Sequence, residues 1–297
     1  ERIEVPVRTE DFTFWSGPGI RMAGRMYLPS ESDGRPGAGI VFCHGFGGVK
    51  EGTPVGLSTL LAERGYRVLS FDYRGFGGSG GAPGRLVPAE QVEDAVHALE
   101  YLAQRADVDP RRIGIYGTSF GGGIALMASA RSERVRACVV TVPVTSGSHW
   151  LQSITRWHEY HDLKRQAMEA IAKKTVTGQM EMVDRFDIMV PDPITRARYT
   201  EKVSLTLETV YHVLHHEPIA EAGRVRIPVL MIGVQDDRLA PVEQATMLYE
   251  RLAGPKQLHL FTEGSHFSVY DELLAEVAER TIAWFDQHLA GDGSRSG

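Results

Sequence analysis

Cysteine is nearly missing from this chain. Cys43 and Cys138 are its only two, and both fall in apolar runs that read as buried strands, the usual setting of a reduced core thiol. Two such residues make no disulfide framework and give no sign of an oxidising compartment. Long apolar runs are missing as well: no stretch approaches the ~20 residues of a membrane span. Residues 1–10 are charged and lack the regions of a signal peptide, so a cytoplasmic location is expected, although a chain opening on Glu1 rather than Met leaves room for a removed leader. No basic stripe stands out. Lys and Arg number 32 against 38 Asp and Glu, and the net charge of -6 disfavours nucleic acid. Repeats and low-complexity blocks are also lacking.

A metal set is incomplete. His158 and His161 stand three apart on one helical stretch, and His212 and His216 four apart on another, spacings that can hold zinc. No Cys or well-placed Glu completes either pair, so no metal and no cofactor is expected, and these histidines, with His149 and His215, read as solvated or substrate-facing. The expected partner is a small-molecule substrate, with no nucleic acid and no membrane. The sequence leaves a homodimer open.

What is present reads as one large α/β unit. With 42% hydrophobic and 24% charged residues the composition is that of a globular protein, and the length fits a core with an inserted subdomain. Residues 3–7 and 20–28 alternate around Gly17-Pro18-Gly19 as two antiparallel strands. Buried strands follow at 40–43, 66–71, 113–117, 135–144, 227–234 and 257–261, with helices at 57–64, 88–105, 124–130 and 273–289. Asp107 to Pro110 reads as a turn. The alternation predicts a mostly parallel sheet with helices on both faces. About eighty residues separate Val144 from Ile227, where a crossover needs far fewer. They read mostly helical, at 148–177 and 193–216. The expected division is a core of 1–144 and 227–290, a helical cap of 145–226, and a disordered tail of 291–297. Trp150, Trp157 and Tyr160 are the cap's candidates for contacting substrate.

The run Gly117-Thr118-Ser119-Phe120-Gly121 joins an apolar strand to a helix. Gly-x-Ser-x-Gly at such a junction is a nucleophile elbow, in which glycines permit a turn too tight for side chains and lift the serine hydroxyl clear of the sheet. Downstream, Gln235-Asp236-Asp237 follows one strand and Gly264-Ser265-His266 follows the next. Strand C-termini are where open α/β sheets place their ligands. His259 is a rival to His266, but it lies inside a strand.

These residues, with His44-Gly45-Phe46-Gly47-Gly48 and Asp72-x-Arg74-Gly75-x-Gly77, resemble the α/β-hydrolase superfamily over nearly the whole chain. In style the chain is most similar to bacterial carboxylesterases, cinnamoyl or feruloyl esterases and the hydrolase domain of X-prolyl peptidases. The resemblance implies an α/β-hydrolase fold with an inserted helical cap. Ser119 becomes the nucleophile, His266 the base and Asp237 the acid, Asp237 preferred over Asp236 because it stands four residues before Pro241. It further implies backbone N–H donors at Phe46 and Phe120 as the oxyanion hole, a structural His44, and an Asp72–Arg74 ion pair shaping the glycine loop. The expected reaction is ester hydrolysis through an acyl-enzyme. An amidase or peptidase, a lactonase or thioesterase, and a carbon–carbon bond hydrolase share the triad and remain open, with an acyltransferase and a non-catalytic binding fold as outsiders.

Overall fold

The computed structural model describes residues 7–31, 34–191, 193–198 and 201–291. The chain enters as β1 (Val7–Ser16) and β2 (Ile20–Pro29), an antiparallel pair joined at Gly17 and Gly19, both at positive φ. The first strand therefore runs up to the turn, and most of the expected 3–7 segment lies outside the described residues. The physical reason is an alternation hidden by charge. Phe12, Phe14 and Ser16 face inward while Asp11, Thr13 and Trp15 stay exposed, and the Phe12 ring stacks on Tyr101 at 4.5 Å.

Then come β3 (Gly37–Cys43), α1 (Pro54–Glu63), β4 (Arg67–Phe71), α2 (Pro88–Ala103), β5 (Val108–Thr118), α3 (Phe120–Arg131) and β6 (Val135–Thr141). Asp107–Pro110 is not simply a turn: Val108 pairs with Gly37, and the register shifts before Ile113. After an insertion that carries two short strands, numbered below, come β9 (Val229–Val234), α10 (Glu243–Arg251), β10 (Lys256–Phe261) and α11 (Leu274–His288). The eight-stranded sheet has the order β1-β2-β4-β3-β5-β6-β9-β10, parallel from β4 onward. Strands such as β4 and β9 are buried at every position, which is why they appear as unbroken apolar runs. Residues of α2, α3 and α10 build the core on one face, and those of α1 and α11 build it on the other.

Strands β6 and β9 pair directly, so everything between them is an excursion from the sheet. It holds α4 (Gly147–Ile154), α5 (Trp157–Thr177), β7 (Met182–Asp184), α6 (Arg185–Ile188), α7 (Pro193–Arg198), β8 (Ser204–Thr206), α8 (Thr209–Leu214) and α9 (Pro218–Glu221). The expected 148–177 helix is broken at Thr155, whose backbone is extended. The expected 193–216 helix is divided by β8, which pairs antiparallel with β7 and buries Leu205. Thr206 N–H also donates to Gly84 O, tying this hairpin to the glycine loop after β4. No described helix is long and apolar enough to cross a membrane. The expected tail falls on residues of which 292–297 lie outside those described.

The expected Asp72–Arg74 pair does not form. Arg74 instead donates to Asp94 through Nε and NH2 (2.9 and 2.6 Å), to Glu93 (2.6 Å) and to Ser16 Oγ (3.2 Å). Asp94 is fully buried and also accepts from Ser16 Oγ at 2.6 Å. This cluster joins the end of β1, the glycine loop and α2. Removing one partner of a buried pair strands the other charge, at a cost of roughly 3–5 kcal/mol. Asp94→Ala is therefore expected to lower unfolding stability by that amount in a urea titration, and a loss below about 1 kcal/mol would show the cluster to be incidental.

Candidate active site

Strand β5 ends at Thr118, and Ser119 takes φ 54° and ψ −128° before α3 begins. A non-glycine residue at positive φ is strained by about 1–3 kcal/mol and persists only where its surroundings impose it. Here they do. Ser119 N–H donates to Thr141 O, and Ser119 O accepts from Gly122 N–H and Val144 N–H. A Cβ on Gly117 would stand 2.3 Å from Gly121 O, and one on Gly121 2.2 Å from Cys43 O, so the elbow admits only glycine at either flank. Val142, at the end of β6, is also at positive φ (42°), with its N–H bonded to Ile232 O.

Ser119 Oγ lies 3.0 Å from His266 Nε2, and His266 Nδ1 lies 2.7 Å from Asp237 Oδ2. The other oxygen of Asp237 accepts from the N–H groups of Leu239 and Ala240, each at 2.8 Å. With Nδ1–H donating to the carboxylate, Nε2 is left as an acceptor for the serine hydroxyl. All three side chains are nearly buried, whereas Asp236 is exposed. His259 lies in β10, 3.8 Å from Glu276, outside this chain of bonds. A second link supports the arrangement: Tyr270, four residues after His266, shares a 2.7 Å hydrogen bond with Thr118, which precedes Ser119.

The loop after β3 carries Phe46 beside the serine. Gly45 approaches so closely that its Cβ would meet Ser119 Cβ at 3.2 Å. The far end of the loop is held by Asp72, which is fully buried. Its Oδ1 accepts from Lys50 N–H at 2.8 Å, and its Oδ2 from Lys50 Nζ at 2.8 Å and Gly78 N–H at 2.9 Å. Lys50, not Arg74, is thus its partner. Phe120 opens α3, so its N–H has no intrahelical acceptor and sits at the positive helix end. His44 is buried against Tyr73, its Nδ1 3.2 Å from Gly45 O, and burial holds its pKa below the usual histidine value. Burial pushes both cysteine thiols up to about 12, which keeps them protonated.

A cavity of about 690 Å³ opens on Ser119 and His266. Its walls include Phe46, Phe76, Phe186, Met189, Val203 and Tyr270. The residues expected to contact substrate lie elsewhere. Trp150 is buried behind Phe46 and Phe120. Trp157 is 76% exposed and lies tilted against His161, and Tyr160 and Leu163 of α5 face Leu214 of α8. The wall residues that sequence reasoning missed, Phe186, Met189 and Val203, come from the region around β7 and β8. Those strands of three residues are too short to show a period of two.

A model of the serine aminopeptidase (S33) family matches residues 34–272, well over half of the chain. The chain belongs to this family of α/β hydrolases. The hydrolase is 30% identical to an uncharacterized 31.7 kDa Escherichia coli protein of the traX-finO intergenic region, over 84% of this chain and 91% of the relative. It is 25% identical to thiohydrolase aneE of Aspergillus aculeatus, covering 94% and 93% of the two chains. A hypothetical protein from Pseudomonas aeruginosa shares its fold with a TM-score of 0.84 at 23% identity, over 95% and 94% of the chains.

His216 of this hydrolase is buried against the Phe120 ring at 5.1 Å. Burial, with a smaller contribution from the Arg131 cation, pushes its pKa down to about 3. An unfolded histidine titrates near 6.5, so between these values the unfolded chain binds the extra proton and stability falls as pH falls. His216→Asn is expected to flatten that decline by up to about 1.4 kcal/mol per pH unit between about pH 6 and 4. Parallel stability–pH curves for the two proteins would contradict the assignment.

Proposed function

We propose that this hydrolase cleaves carboxylic esters through an acyl-enzyme on Ser119. The observation that carries the reading is the unbroken bond sequence Ser119–His266–Asp237 opening on a cavity with aromatic and aliphatic walls, edged by Arg185, Glu201, Lys202 and Asp271, large enough for a sizeable acyl group. His266 Nε2 takes the Ser119 proton as Oγ attacks the ester carbon. The imidazolium so formed is stabilised by Asp237 and returns the proton to the departing alkoxide. Water then repeats the sequence: His266 removes its proton as the water oxygen attacks the acyl carbon, the bond to Ser119 Oγ breaks, His266 returns the proton to that oxygen, and the acid leaves. The negative oxygen of each tetrahedral intermediate is received by the N–H groups of Phe46 and Phe120. In this scheme residues 145–226 act as a cap over the core of 1–144 and 227–290, and Phe186, Met189 and Val203 set the size of the acyl group.

A thioester substrate, with water or an alcohol as acyl acceptor, is the second reading. It is favoured by relatives named thiohydrolase aneE, acyltransferase drtE of Aspergillus calidoustus and polyketide transferase claH of Penicillium crustosum. The same acyl-enzyme serves both readings. Peptide bonds enter as a third class through the family's description as serine aminopeptidases.

A fluorophosphonate is expected to modify the peptide carrying Ser119, with no labelling of Ser119→Ala. A folded protein labelled elsewhere, or not at all, would sink the mechanism. Asp237→Asn is expected to lose about 10⁴-fold in kcat through the wrong imidazole tautomer, while Asp236→Asn stays near wild type. Rates on matched esters, thioesters and amides then rank the substrate classes, and faster amide than ester turnover would overturn the first reading.

A further inference from the structure

Trp150 is 1% exposed, heads the largest fully buried side chains, and stands outside the cavity lining. Its surroundings tie it to the chemistry nonetheless. The indole meets the Phe46 ring at 5.4 Å and 71°, and the Phe120 ring at 5.8 Å and 47°. Those two rings meet each other at 5.3 Å and 69°. Each contact is edge-on or tilted, the geometry in which aromatic rings attract, and together the three rings close on themselves. Phe46 and Phe120 are the two residues whose N–H groups face the serine in the proposed reaction.

The other edge of Trp150 reaches the acid. Its Nε1–H donates to Leu239 O at 2.6 Å, and the N–H of Leu239 donates to Asp237 Oδ1 at 2.8 Å. The indole is itself held firmly. Ser146 caps α4 by accepting from His149 N–H. The fully buried Gln244 receives both Thr145 N–H and Ser146 N–H on its Oε1, at 2.8 and 2.9 Å. One rigid side chain from the insertion therefore touches both halves of the oxyanion site and the loop that carries the carboxylate.

We infer that Trp150 is a positioning residue, a wedge that sets the separation of the Phe46 and Phe120 N–H groups through their rings and steadies Asp237 through Leu239. The inference rests on the reading of those two N–H groups as oxyanion donors. It assigns separate work to the two parts of the indole: the ring system spaces the hole, and the N–H holds the acid loop. It also makes the insertion part of the catalytic framework as well as a cover for substrate.

The two parts can be separated with para-nitrophenyl butanoate and its thiono analogue, whose sulfur is a poor acceptor for an oxyanion hole. In Trp150→Leu the spacing is lost. Turnover of the oxygen ester is expected to fall about 10²-fold, near the effect of losing one donor, with KM little changed and thionoester turnover much less affected, so the preference for oxygen shrinks. Trp150→Phe keeps a ring and loses only the N–H. Both esters are expected to slow together, by roughly 3- to 10-fold, with the oxygen preference intact. Melting temperatures are measured alongside. Should Trp150→Leu not fold, Trp150→Phe carries the test, and a wild-type rate there overturns the link to Asp237. Equal slowing of both esters in a folded Trp150→Leu would show a merely structural role and overturn the wedge. A wild-type enzyme with fluorophosphonate-labelled Ser119 but no oxygen preference overturns the hole and the role of Trp150 with it. A wild type that neither labels nor turns over esters instead overturns the serine mechanism.

Discussion

Ser119 occupies a backbone conformation that its own side chain disfavours, and three neighbouring segments hold it there. Strand β6 receives its N–H, the start of α3 and the chain beyond Val142 bond to its carbonyl, and the β3 loop presses against it through Gly45. The hydroxyl is raised at the C-terminal edge of the sheet, where the loops after neighbouring strands can reach it. His266 after β10 and Asp237 after β9 do so because β6, β9 and β10 are parallel neighbours. The strain is local and modest; the direction it imposes on the hydroxyl is what matters chemically.

The site is also fastened from behind. Asp72 clamps the far end of the Phe46 loop through Lys50 and holds the glycine loop through Gly78. Gly77 comes so close to this carboxylate that any Cβ there would collide with it at 2.3 Å. The glycine loop is bonded in turn to Thr206 of the insertion. Core and insertion are thus joined through β8 and Gly84, through Trp150, and through the hydrogen bonds of Gln244 to Thr145 and Ser146. A buried charge with three donors is expensive to disturb, which suits it to hold the Phe46 loop in place.

Much of this was legible in the sequence, and the illegible parts share a cause. Parallel strands buried on both faces announce themselves as apolar runs, so β3 to β6 and β9 could be placed from pattern alone. Ser119 and Asp237 were readable because each follows such a run, whereas His266 follows the half-buried β10, in which Gln257 and His259 interrupt the apolar positions. Strand β1 was hidden because its outward positions carry Asp11 and Thr13. Arg74 looked like the partner of Asp72 because it is near in sequence, whereas Lys50 and Asp94 reach their partners across twenty or more residues. Trp150 carried no mark to distinguish an aromatic facing substrate from one facing the core. That difference depends on how the insertion seats on the sheet, a long-range property that no local spacing encodes.

A crystal structure of the protein phosphonylated at Ser119 tests the central claim most directly, because the adduct mimics the tetrahedral intermediate. The phosphonyl oxygen is expected within about 3 Å of the backbone nitrogens of both Phe46 and Phe120, with His266 still bonded to Asp237 and Trp150 still closed behind both phenyl rings. An adduct whose oxygen turns to solvent, or is received by other donors while these two N–H groups point away, would contradict it.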